Sequence, residues 1–253
     1  DVYKRQTSTL SGLIIGFLLG LSNGFAIITA QKFGAKNIAD MKKSFAMSLV
    51  IGTGISILFT IAGLLFLKPI LHFLNVPKHL VPVAKGYIAI IIAGLLATFL
   101  YDACAATLRA IGDAVTPLII LAISVALNIV GDLFFVVVLK TGVKGAAIAT
   151  VLAQIIAFVI CWIYMIRKYE ILRLQKEEFK DPSPIMVKEM ISAGMSMGFM
   201  SSLVNIGTLT LQTAINKLGK DIIIAHTAAR KITEIFMIMF SVFGQTLSLI
   251  HIS

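Results

Sequence analysis

Residues 124–139 read SVALNIVGDLFFVVVL. Asp132 is the one ionisable side chain in this stretch, and Asn128 precedes it by about one helical turn. A lone carboxylate among residues that avoid water is costly unless something pairs with it. What the stretch means therefore depends on the solvent around the chain.

Composition identifies that solvent. The 253 residues are 58% hydrophobic and 13% charged, with a mean hydropathy of +0.97, far from the balance of a soluble domain. A bilayer core about 30 Å thick requires about 20 apolar residues per helix. Seven runs of that kind are found, at 9–30, 45–67, 87–109, 117–139, 145–166, 191–215 and 222–250. Continuous apolar runs exclude the alternation of barrel strands, and lipid excludes unpaired backbone, so the runs are helices. The expected class is an all-α, polytopic membrane helix bundle of about seven spans. Lys4 and Arg5 before the first run fit a secretory signal as well, but the further spans make a cleaved signal unnecessary.

The net charge of +10 does not mark a nucleic-acid binder, because the basic residues sit in loops between spans. Alternate loops divide them eleven against seven, with Lys32, Lys42, Arg109, Arg167 and Lys168 on the richer side. The positive-inside rule makes that side cytoplasmic. Trp162, Tyr164 and Tyr169 at the end of the fifth span fit an interfacial aromatic anchor there. The polar stretch 167–190 reads as a cytoplasmic linker between two membrane lobes, beginning with a short surface helix and a Pro-rich turn. Cys104 and Cys161 lie in separate spans without metal or redox spacing and read as small packing residues. His72, His79 and His226 form no ligand spacing, and no nucleophile and base pair or phosphate loop suggests an enzyme.

In lipid, Asp132 must face the protein interior or a wet cavity. After the turn KTGVKG, the next span places Thr150 within roughly 5 Å of the depth of Asp132, so a carboxylate, an amide and a hydroxyl converge from one helical hairpin. An all-oxygen cluster suits a hard monovalent cation such as Na⁺. It equally suits a proton carried by Asp132, or a plain interhelical hydrogen bond. Asp102, in the third span, is the second intramembrane acid. Gln154 and Asn205, with Thr208, Thr210 and Gln212, add polar atoms that line a path or join helices. Arg230 and Glu234 stand one turn apart in the last span and can neutralise each other, with Lys231 beside them.

Several stretches taken together resemble the MATE (multidrug and toxic compound extrusion) family: GLSNGFAIITAQKFGAKN at 20–37, LRAIGDAVTPL at 108–118, NIVGDLFFV at 128–136, GVKGAAIATVLAQ at 142–154 and AHTAARKITEIFMIMFSVFGQTLS at 225–248. The resemblance covers roughly 8–248. It implies a partial two-lobe fold, with N-lobe helices two to six in 7–166 and the first two C-lobe helices in 191–248, while 1–6 and 249–253 read as non-native ends. It implies a monomeric plasma (inner) membrane antiporter in which Na⁺ or H⁺ entry drives export of organic, often cationic, compounds. Within that comparison Asp132, Asn128 and Thr150 match three cation-binding positions of the N-lobe. Asp102, Gln154 and Asn205 are weaker candidates for cavity-lining or substrate contact. The span 191–215 lacks the acid that one branch of the family carries in its seventh helix. The rival functions are a lipid-linked sugar flippase of the wider superfamily and a non-transporting membrane scaffold.

Overall fold

A computed structural model describes residues 2–73, 81–180 and 182–216, together with Ala229, Thr233 and Phe236. Among them are eight α-helices: α1 (Val2–Gly34), α2 (Ile38–Leu65), α3 (Leu67–Phe73), α4 (Val81–Ala93), α5 (Leu95–Ala110), α6 (Val115–Leu133), α7 (Val143–Lys168) and α8 (Pro184–Asn216). The molecule is an all-α polytopic membrane bundle. Five segments are long and apolar enough to span: Gly12–Gly34, Ile38–Leu65, Val81–Ala110, Val115–Val138 and Val143–Lys168.

These five cover the first five expected spans. The sixth, 191–215, is helical within α8, but Ser196, Ser201, Ser202, Asn205 and Thr208 dilute its apolar character and it falls outside that set. The seventh, 222–250, lies outside the described residues.

Local chemistry explains where the helices begin, end and bend. The Asn37 side chain accepts a hydrogen bond from the Asp40 amide at 3.1 Å and caps α2. One expected span, 87–109, consists of two helices, α4 and α5, that meet at Gly94. A Cβ there would press into the Val151 side chain of α7, with one methyl carbon at 3.0 Å, so glycine lets the bent span approach its neighbour. Helix α6 runs on into a π-helical turn, Phe134–Val138, in which the Leu139 amide bonds back to the Phe134 carbonyl at 3.0 Å. The chain then reverses through Lys140 and Gly142, both with positive φ (52° and 63°), into α7.

The expected surface helix after α7 is not an α-helix. Two short 3₁₀ turns, Glu170–Leu172 and Lys176–Phe179, stand in its place. Leu172 explains the interruption: it is fully buried with Met41, Phe45, Cys161 and Met165, so the linker folds back on the bundle instead of running along its surface. A capping box between Gln175 and Glu178 and a 3.9 Å ion pair between Lys42 and Glu178 hold it there.

Packing depends on small residues. Gly16, Gly20 and Gly24 recur every four residues on α1 and face α8. A Cβ on Gly24 would lie 2.5 Å from the Ala193 carbonyl oxygen and the Gly194 Cα, and one on Gly198 would lie 2.8 Å from the Phe17 ring. Lipid supplies no hydrophobic drive between helices, so close van der Waals contact of this kind must supply it. On α7, Ala149, Ala153, Ala157, Cys161 and Met165 form a buried stripe at the same spacing. Conversely, Leu118, Ile119, Val125, Ile129 and Val130 of α6 are exposed, an apolar face that suits lipid and would aggregate in water.

Candidate functional site

The hairpin of α6 and α7 carries the intramembrane polar cluster. Gly131 fixes how closely the two helices approach, because a Cβ there would lie 3.0 Å from the Ala149 Cβ. One residue farther along each helix, Asp132 and Thr150 are half-buried. Asn128, a turn before Asp132, donates from Nδ2 to Thr150 Oγ1 at 3.1 Å. The Thr150 hydroxyl in turn donates to the Ala146 carbonyl at 2.9 Å. The Asn128 amide oxygen is thereby turned away from its donor group and left as an acceptor.

Two buried oxygens lie on either side of this pair. Asp132 Oδ1 and Gln154 Oε1 each lack a hydrogen-bond partner among the described residues. Gln154 follows Thr150 by one turn of α7, on the Ser124 side of the pair, away from Asp132. Buried polar atoms are nearly always satisfied, and leaving one unsatisfied costs about 1–3 kcal/mol. The open Asp132 carboxylate, one turn from the Asn128 amide, is an acceptor that a bound cation or proton would satisfy. Helix α4 packs against α7, so a third element stands beside the hairpin.

The other candidates lie apart from this cluster. Asp102, on α5, has Arg109 as its electrostatic partner. Arg109 also donates from Nη2 to Asn23 Oδ1 of α1 at 3.2 Å. Asn205 fills the space over Gly16, with its Cγ 3.6 Å from where a Cβ would stand, so it belongs to the α1–α8 seam. The Thr210 hydroxyl returns to the Ile206 carbonyl of its own helix at 2.9 Å. Arg230, Lys231, Glu234, His79 and His226 lie outside the described residues. Cys104 and Cys161 are fully buried, which fits the packing role. Among the described residues no three His, Cys, Asp or Glu side chains converge on a metal.

A second polar cluster joins the same two helices at their other end; the sequence marked Tyr164, Lys168 and Tyr169 as an interfacial end but not their meeting with Asp113 and Thr116. Asp113, in the α5–α6 turn, accepts hydrogen bonds from the Thr116 amide at 3.0 Å, the Thr116 hydroxyl at 2.8 Å and the Tyr169 hydroxyl at 2.8 Å. Lys168 Nζ lies 3.8 Å from the same carboxylate and is also hydrogen-bonded to the Tyr164 hydroxyl. Burial opposes ionisation of Asp113, but these hydrogen bonds and the Lys168 charge outweigh it and hold its carboxyl below the ordinary value of 3.8.

Residues 6–134 match the family profile described as MatE. The chain is 31% identical over 233 residues to "Probable multidrug resistance protein YpnP" of Bacillus subtilis (strain 168), covering 90% of this chain and 51% of that one. It is 26% identical over 232 residues to "Probable multidrug resistance protein YoeA" of the same organism, covering 88% and 49%. Among solved structures, "Outward-facing conformation of a multidrug resistance MATE family transporter of the MOP superfamily" superposes with a TM-score of 0.81 at 22% identity, covering 90% of this chain and 51% of that chain. The chain thus spans about half the length of the relatives it matches.

Proposed function

The chain belongs to the MATE family, and on that premise we propose that it supplies the ion-carrying part of an antiporter in which Na⁺ or H⁺ entry drives export of organic, often cationic, compounds. The observation that carries this reading is the unsatisfied Asp132 oxygen in the α6–α7 hairpin. Asp132 carries the coupling ion or proton, Asn128 and Thr150 are co-ligands, and Gln154 is a weaker candidate for lining the cavity. Residues 7–166 form the N-lobe, 167–190 the linker and 191–248 the first two C-lobe helices. The transmembrane count of the chain is then seven.

Coupling follows from differential binding. An ion drives drug release only by as much as it favours one conformation over the other. An Asp132 carboxylate without an internal partner is suited to this, since no competing hydrogen bond must break when the ion arrives. The electropositive loops, including Lys32, Arg109 and Lys168, face the cytoplasm by the positive-inside rule. The cluster near the far end of α6 then lies in the outer half of the bilayer. Asp102, on α5 and apart from the hairpin, remains a weaker candidate for substrate contact.

The test uses the complete polypeptide carrying this chain in inverted vesicles, with dye movement driven by an imposed Na⁺ or H⁺ gradient. Asp132→Asn keeps the size of the side chain and removes the charge, and it is expected to abolish gradient-driven transport while insertion is retained. Undiminished gradient-driven transport by that variant would exclude Asp132 as the carrier.

A further inference from the structure

The last two turns of α7 carry a shallow, open groove that the transport reading does not use, bordered by Ile160, Ile163, Tyr164, Arg167 and Lys168. The spacing i, i+3, i+4, i+7 and i+8 places all five on one face of the helix. That face points away from the core, whose side of α7 is the stripe Ala157, Cys161 and Met165. Along the groove, chemistry changes from two isoleucines to two cations within about two turns, roughly 10 Å.

The cationic end is organised. Lys168 Nζ lies 5.0 Å from the centre of the Tyr164 ring and 5.3 Å from that of Tyr169, two cation–π contacts. With Asp113 at 3.8 Å these fix the ammonium, yet the side chain is still 52% exposed and keeps donor capacity toward the groove. Asp113 offsets its charge, so the net positive charge comes from Arg167, which has no ion pair among the described residues. A planar guanidinium beside a fixed ammonium suits a phosphodiester, since Arg recognises its oxygens bidentately and Lys acts as a point charge.

We propose that this groove binds an anionic phospholipid, with the headgroup phosphate at Arg167 and Lys168 and an acyl chain along Ile160 and Ile163. The apolar half selects the lipid over a soluble anion or an acidic protein segment. Ile160 and Ile163 lie within the span Val143–Lys168, at a depth that acyl chains occupy. Tyr164, between the two halves, sits where amphipathic rings meet the headgroup level. The proposal does not depend on the transport reading.

The complete polypeptide, purified in neutral detergent and stripped of lipid, is incubated with phosphatidylglycerol, phosphatidylcholine or sn-glycerol 3-phosphate, and retained ligand is counted by native mass spectrometry. Phosphatidylglycerol is expected to be retained in preference to phosphatidylcholine. Arg167→Gln with Lys168→Gln should lower its retention about fivefold or more, the order expected for basic side chains at an anionic lipid surface. Lys176→Gln with Lys180→Gln removes the same charge from exposed linker positions and should change little. Arg167→Gln alone, at an exposed residue without an ion pair, serves if the double variant does not fold. Ile163→Ser should also reduce phosphatidylglycerol retention. Equal retention of the two lipids, or an equal loss in the linker variant, would overturn the site in favour of a diffuse surface charge. Displacement of the lipid by equimolar sn-glycerol 3-phosphate would overturn it in favour of a soluble phosphate site.

Discussion

Asp113 and Asp132 stand at opposite ends of one helix hairpin and have opposite surroundings. Asp113 receives two hydrogen bonds from Thr116, one from Tyr169 and the charge of Lys168. Asp132 has a buried oxygen, Oδ1, with no hydrogen-bond partner among the described residues. The same two helices therefore carry one carboxylate whose interactions are complete and one whose interactions are open. A satisfied carboxylate fixes geometry, because any change in its partners costs free energy. An open one gains from whatever arrives, which is why Asp132 rather than Asp113 is proposed as the ion site.

This contrast gives a graded set of expectations. The largest concerns Asp132→Asn, which should abolish gradient-driven transport with thermal stability in detergent nearly unchanged. If that variant melts early instead, the open carboxylate is a structural group after all. Next is Asp113→Ala, which leaves the Thr116 amide and the Tyr169 hydroxyl without their acceptor and should cost about 1–3 kcal/mol of stability. Thermal unfolding followed by circular dichroism would read it, and ion coupling in the surviving protein should persist.

A pH titration of stability sharpens the contrast further. The folded Asp113 carboxyl is held below 3.8, so its contribution is fully present above that value and is lost as pH falls through the lower folded value. Unfolding in detergent should show no loss from this group between neutral pH and about pH 5, and the Asp113→Ala protein should lose the acid-side dependence. The smallest effect belongs to Thr150→Val. It removes the acceptor of the Asn128 hydrogen bond and should cost about 0.6 kcal/mol in stability, typical of one interhelical hydrogen bond in a membrane. Its transport should nevertheless need a higher concentration of the coupling ion, which a gradient titration in vesicles would detect.

The sequence and the structure agree best where the signal is local. Long apolar runs located the first five spans, and turn spacing set Thr150 near the depth of Asp132 and Asn128; the bond that forms is Asn128 to Thr150 at 3.1 Å. Agreement fails where distant residues decide. The linker was expected to hold a surface helix, but burial of Leu172 against residues of α2 and α7 breaks that stretch into 3₁₀ turns. The Asp113 cluster joins residues 48 and 56 positions apart, and neither composition nor periodicity records such a meeting. Gly16, Gly20 and Gly24 had a visible four-residue repeat, as had Gly194 and Gly198. What the repeat lacked was a partner, and only the fold shows that the two series face one another. Asn205, read as lining a path or joining helices, stands in that seam over Gly16.

The most direct test of the account places the two carboxylates side by side. Asp132→Asn and Asp113→Asn would be introduced separately into the complete polypeptide carrying this chain, and each protein measured for Na⁺- or H⁺-driven dye transport and for melting temperature. The account predicts that the Asp132 variant loses coupling and keeps its melting temperature, while the Asp113 variant keeps coupling and melts earlier. The reverse pattern, or loss of coupling in the Asp113 variant alone, would contradict it.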